Sequence, residues 1–145
     1  MLLQTKSDWA VLVLRLTVGI IMFPHGAQKM LGTFGGYGFK PTMQFFTQSV
    51  GLPWVFALAV ILIEFFAPIG LILGLGTRIC AFALAIVMVG AIATTCYQNG
   101  FFMNWYGSQK GEGYEYHLLV IGLCLALLVA GAGRYAIDNL FHATH

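Results

Sequence analysis

Apolar residues in this chain come in blocks, not in strict alternation. Four blocks stand out, at residues 9–31, 54–75, 78–97 and 117–132, each carrying at most two Asp, Glu, Lys or Arg residues. A helix needs about 20 mostly apolar residues, at 1.5 Å each, to cross a hydrocarbon core about 30 Å thick. The first three blocks meet that length. The fourth is the shortest, and is expected to recruit residues from Glu115 and to reach towards Tyr135, giving a helix over about 115–135. The pattern therefore predicts an all-α chain: an integral membrane four-helix bundle forming one domain over residues 1–145. The first block is long enough for the apolar part of a signal peptide. Arg15 interrupts it and no small-residue cleavage site follows, so it is expected to stay.

The connections set the topology. Between the second and third blocks there is only "GLGTR" (Gly74–Arg78), a tight turn. The first and third gaps are long and rich in glycine and aromatic residues. With four spans, the two long loops emerge on one face, and both termini join the short turn on the other. Trp54, Trp105, Tyr106, Tyr114 and Tyr116 then fall where an aromatic belt is expected. Positive residues on the terminal side are Lys6, Arg78 and Arg134, against Lys29, Lys40 and Lys110 on the long-loop side.

Composition agrees with the pattern. Hydrophobic residues make up 59% of the chain and charged residues 8%, where soluble domains carry about 25% charged. A chain of 145 residues has too much surface for a core alone to absorb that. Its outside must be apolar too, so its first partner is the lipid bilayer. A net charge of +2 with no basic run excludes a nucleic-acid partner. Cys80, Cys96 and Cys124 are far apart and form no C-x-x-C pair or metal spacing, so they are expected to pack as small hydrophobes.

Two ionisable residues fall well inside spans: Arg15 and Glu64. A charge at the bilayer centre costs roughly 2.5–3.5 kcal/mol on insertion scales, so such groups face the bundle interior and pair. Counted along antiparallel helices, the two differ in depth by only about 6 Å, and they are expected to pair. Pro68 cannot donate the helical bond to the Glu64 carbonyl, which leaves a free acceptor beside a buried carboxyl. On a helical wheel Arg15, Gly19, Met22, Gly26 and Lys29 lie within about 40° of one direction, with His25 at its edge. The glycines on that face allow either close helix approach or room for a planar ligand. Glu112, Glu115 and His117 lead into the fourth block from the same side as His25 and Lys29. The ligand-binding set expected is Arg15, His25, Lys29, Glu64, Glu115 and His117, with Glu64 and Arg15 as its chemically active pair. No metal site is expected, because no histidines are spaced i, i+4 for His25, His117 and Glu115 to build on.

"RLTVGIIMFPHGAQKMLGTFGGYG", with an arginine in the first helix and H-G-x-x-K near its end, resembles the opening of DoxX-family membrane proteins. "AVILIEFFAPIGLILGLGTR", "NGFF" and "EGYEYHLLVIGLCLALLVAGAGRYAID" resemble the family's later segments. The resemblance implies a bacterial inner-membrane, multi-pass protein with cytoplasmic termini. The family takes its name from a subunit of a quinone-linked thiosulfate oxidoreductase. Related thiol-redox membrane proteins use paired cysteines, which this chain lacks.

The leading expectation is a membrane subunit that binds a quinone or similar lipophilic carbonyl compound and supports a membrane oxidoreductase complex. Arg15, His25 or Lys29 would donate to ring oxygens, and Glu64 would exchange protons or anchor Arg15. No haem, flavin or iron–sulfur motif is present, so electrons would come from a membrane or peripheral redox partner, and the chain alone holds no complete catalytic set. Two other classes stand beside it. One is a structural membrane scaffold clamped by Arg15 and Glu64. The other is a small proton-coupled transporter or exporter of a hydrophobic compound, for which a homo-oligomer would supply the missing repeat.

Overall fold

The computed structural model describes residues 8–142, so Lys6 and its contribution to the charge balance lie outside the described residues. The described residues are helical with no strand. Helix α1 covers Asp8–Met30. A short α2 (Phe39–Gln44) runs into a π-helical turn, Phe45–Ser49. Helix α3 is Trp54–Leu73. Helix α4 (Thr77–Ala91) continues through a π-helical turn (Ile92–Cys96) and a 3-10 turn (Tyr97–Asn99). Helix α5 is Glu115–Ala130 and α6 is Asp138–His142.

Three stretches, Trp9–Met30, Trp54–Leu73 and Thr77–Asn99, are long and apolar enough to cross a membrane. The fourth bundle helix, α5, is apolar but only 16 residues long. Its expected extension to Tyr135 does not occur. Gly131 takes φ 76° and ends the helix at Ala130, a conformation that glycine adopts without steric cost. The chain then folds back over the α3–α4 turn, where Ile137 N donates to Leu73 O (3.3 Å) and Asp138 N to Gly74 O (3.0 Å).

The four helices close a ring: α1 packs on α3, α3 on α4, α4 on α5, and α5 on α1. Val18, Met22, Leu71, Leu84, Cys124 and Leu127 fill its centre. The outward faces stay apolar, with Val55, Phe66, Ile79, Phe82 and Val129 more than half exposed. A polar solvent would not tolerate such a surface, and lipid does. The turns sort as the connection lengths require. Trp9 at the start of α1 packs against Tyr135 (ring centroids 4.7 Å, planes tilted by 37°) beside the α3–α4 turn, and the two long loops meet at the other end.

Glycine decides how closely α1 and α3 cross. A Cβ on Gly26 would fall on the Glu64 carbonyl, and one on Gly19 would lie 2.9 Å from the Pro68 carbonyl oxygen. The glycine face of α1 thus serves close helix approach and leaves no room there for a ligand. Pro68 lies four residues after Glu64, so the carbonyl it frees is the one that Gly26 covers.

Candidate functional site

The two intramembrane charges do not pair with each other. Arg15 is fully buried, and its Nη2 donates to the backbone carbonyl of Tyr135. Its side chain points towards the terminal end, where a Cβ on Gly74 would collide with Nη1. Arg15 Nε and Nη1 have no hydrogen-bond partner among the described residues. The expected Arg15–Glu64 pair fails because a depth count along straight helices ignored the folded-back segment 131–137, whose carbonyl reaches the guanidinium first. Close by, Asp138 accepts from Gly76 N (2.7 Å) and Thr77 N (3.2 Å). It thereby caps the start of α4 from outside that helix, a favourable place for a carboxylate. A groove of about 600 Å³ at this end is lined by Gly76, Arg78, Arg134 and Asp138. Asp138 already occupies the amides an anion would use there.

Glu64 pairs with Lys29 instead, Nζ to Oε2 at 2.7 Å. Lys29 lies in the last turn of α1, near the long-loop end, and Glu64 faces it from the middle of α3. The pair sits in the wall of a cavity of about 630 Å³. Its lining is mostly apolar, with Phe45, Phe46, Phe56, Ile63 and Val87 contributing, and it is roofed by both long loops through Leu52, Met103 and Glu112. His25, Tyr116, His117 and Cys96 add the polar groups. A cavity of 300–1,000 Å³ with an apolar lining and a few convergent polar groups is the usual form of a small-molecule site.

The polar groups hold one another in place. The His25 and Tyr116 rings lie 5.9 Å apart, and Tyr116 lies 5.7 Å from the His117 ring, nearly perpendicular. Tyr116 OH donates to Met22 Sδ at 3.3 Å, so Tyr116 turns into the bundle and not into an aromatic belt. His117 Nε2 lies 3.6 Å from Cys96 Sγ, while His117 Nδ1 is buried without a partner among the described residues.

Of the expected ligand set, His25, Lys29, Glu64 and His117 come together around one cavity, and two members do not. Arg15 is at the other end of the bundle. Glu115 organises the loop instead: its Oε1 accepts from Met103 N (3.0 Å) and Trp105 Nε1 (2.9 Å). Glu112 joins it by accepting from Asn104 N (2.7 Å) while still touching the cavity. With Glu115 so engaged, the trio His25, His117 and Glu115 does not converge. No group of three or more His, Cys, Asp or Glu residues able to hold a metal was found among the described residues. Tyr116 and Cys96 line the cavity without belonging to the expected set. Tyr116 is adjacent to His117 in "YEYH", whereas nothing in the spacing of Cys96 marks it, since the π-helical turn that carries it has no sequence signature.

Comparison with known proteins matches the same frame. Two curated relatives cover nearly all of the chain. A protein of Bacillus subtilis (strain 168) named "Putative oxidoreductase CatD" is 35% identical over 136 residues, covering 94% of this chain and 90% of that protein. The "Uncharacterized membrane protein Rv3486" of Mycobacterium tuberculosis (strain ATCC 25618 / H37Rv) is 30% identical over 151 residues, covering 95% and 85% respectively. No solved structure matches. The DoxX family model matches residues 10–97, which span α1 to α4 and with them Lys29, Glu64 and the crossing at Gly26. On that match and on its apolar helices, the chain belongs to the DoxX family of membrane proteins.

Proposed function

We propose that the chain is a membrane subunit that binds a quinone, or a similar lipophilic carbonyl compound, in the cavity between the helices and the two long loops. The observation that carries this reading is the cavity itself: an apolar, aromatic-lined space whose wall holds a lysine–glutamate pair and two histidines. A quinone is planar, apolar on its faces and an acceptor only at its oxygens. It needs a greasy slot with a few N–H donors, and Lys29, His25 and His117 are donors of that kind. Glu64 keeps Lys29 at the wall. The relative named as an oxidoreductase supports a redox setting. Since the chain shows no cofactor motif of its own, electrons would be exchanged with a partner protein.

The same reading places the chain in the bacterial plasma membrane with cytoplasmic termini. With Arg15 turned to the terminal end, the described positive residues are Arg15, Arg78 and Arg134 on that end and Lys29, Lys40 and Lys110 on the other, so the orientation rests on the resemblance to the family and not on charge.

The test is binding of duroquinone, a fully substituted benzoquinone, to the purified full chain in nanodiscs. Lys29→Met is expected to weaken binding about tenfold, the loss of one charge-assisted hydrogen bond. Arg15→Met is expected to leave the affinity unchanged. Equal affinity in wild type, Lys29→Met and Glu64→Gln would overturn the site.

A further inference from the structure

The cavity wall contains a thiol that the binding of a quinone does not require. Cys96 is buried, and its sulfur lies 3.6 Å from His117 Nε2 and 3.4 Å from Thr95 Oγ1. All three residues border the 630 Å³ cavity. The other two cysteines are placed differently. Cys80 packs against Gly70 and directs its thiol to the Leu75 carbonyl, and Cys124 is fully buried in the central core. Cys96 stands in the π-helical turn at the end of α4, where Thr94 and Thr95 bond back to Gly90 O and Ala91 O (both 2.8 Å). Such turns interrupt the regular helical ladder and occur often at functional sites.

A thiol with a ring nitrogen at hydrogen-bond distance is the arrangement by which a cysteine becomes a nucleophile: the base takes the proton and the sulfur attacks. An apolar cavity selects what it attacks. We infer that Cys96 is a conjugate-addition site for α,β-unsaturated carbonyl compounds that enter this cavity, with unsubstituted quinones as the fitting class. The inference rests on the quinone reading above for what enters the cavity.

The step balances without an outside oxidant or reductant. His117 Nε2 accepts the Cys96 proton as sulfur bonds to an unsubstituted ring carbon. The ring π pair moves to the far carbonyl oxygen, beside which Lys29 or His25 can donate a hydrogen bond. That oxygen is protonated at the expense of the His117 imidazolium, which returns to neutral, and the attacked carbon gives up its own hydrogen as a proton to the second oxygen when the ring becomes aromatic. The product is a hydroquinone thioether. The two electrons gained by the carbonyl carbons come from the ring carbon that exchanges its C–H bond for a C–S bond, sulfur keeps its oxidation level, and the protein gains the mass of one whole quinone.

The experiment exposes the full chain in nanodiscs to 1,4-naphthoquinone, which has open ring carbons, and follows intact mass and the modified peptide. Duroquinone binding is measured in parallel as the non-covalent control. One adduct per chain, on Cys96 and lost in Cys96→Ser, is expected. His117→Gln is expected to slow addition roughly 10²-fold, the ordinary contribution of a positioned base, with far-UV circular dichroism and thermal unfolding like those of the wild type as proof of folding. Labelling spread equally over Cys80 and Cys96, or an unchanged rate in His117→Gln, would overturn the inference. Duroquinone binding without any Cys96 adduct would overturn it while leaving the quinone reading standing. Loss of both would remove the two together.

Discussion

The two ends of the bundle each bury a charge and treat it in opposite ways. At the terminal end Arg15 is met by backbone: the Tyr135 carbonyl, with Asp138 nearby holding the first amides of α4. At the loop end Lys29 is met by a side chain, Glu64, on the wall of an open cavity. Backbone partners fix a segment of chain and leave the charge little else to do. A side-chain pair beside a cavity can exchange one partner for a ligand at the cost of a rotamer change. Intramembrane charge alone does not mark a site. The two ends differ in that Lys29 and Glu64 line a cavity, whereas Arg15 is not among the residues that line the groove at its own end.

Three measurements put that contrast to the test. The largest effect is expected at the crossing that separates the two ends. Gly26→Val would push a side chain into the Glu64 carbonyl and cost about 3 kcal/mol of stability, as overpacking at a rigid contact does. Gly122→Val on α5, where a Cβ meets nothing within 4 Å, should leave thermal stability in detergent close to wild type. Equal behaviour of the two variants would show that the crossing is loose. Next in size, Arg15→Met should cost about 2 kcal/mol, the value of a hydrogen bond to a charged group. Hydrogen exchange should then rise in residues 131–137 and not around Lys29; a rise at both ends would couple what the geometry separates. The smallest effect is expected for Asp138→Ala, about 1 kcal/mol for a lost helix cap. It should appear as faster exchange at Gly76 and Thr77 only.

The helices were legible in the sequence because a membrane span is a statement about length and apolarity, and both are written in the residue order. The residues that came to line the cavity were legible in part for the same reason. His25 and Lys29 end an apolar block, and Glu64 interrupts one. Partnership was not legible. Arg15 and Lys29 share a wheel face yet stand 14 residues apart, about 21 Å along α1. Only the three-dimensional arrangement shows that Glu64 faces the second and not the first. The end of α5 was misjudged because hydropathy continues past Gly131, while a single backbone dihedral stops the helix there. A thiol beside a histidine 21 positions away leaves no trace in spacing, so the sequence alone marks Cys96 only as a packing residue.

The shortness of α5 reaches beyond the protein. Sixteen residues rise about 24 Å, some 6 Å less than an ordinary hydrocarbon core. Its three neighbours are long enough to match the full thickness. Local thinning of the bilayer, here on one side of the bundle and not the others, is one of the ways in which such a mismatch is met. That lopsided thinning biases the chain towards thinner patches of membrane and towards neighbours that relieve the same mismatch.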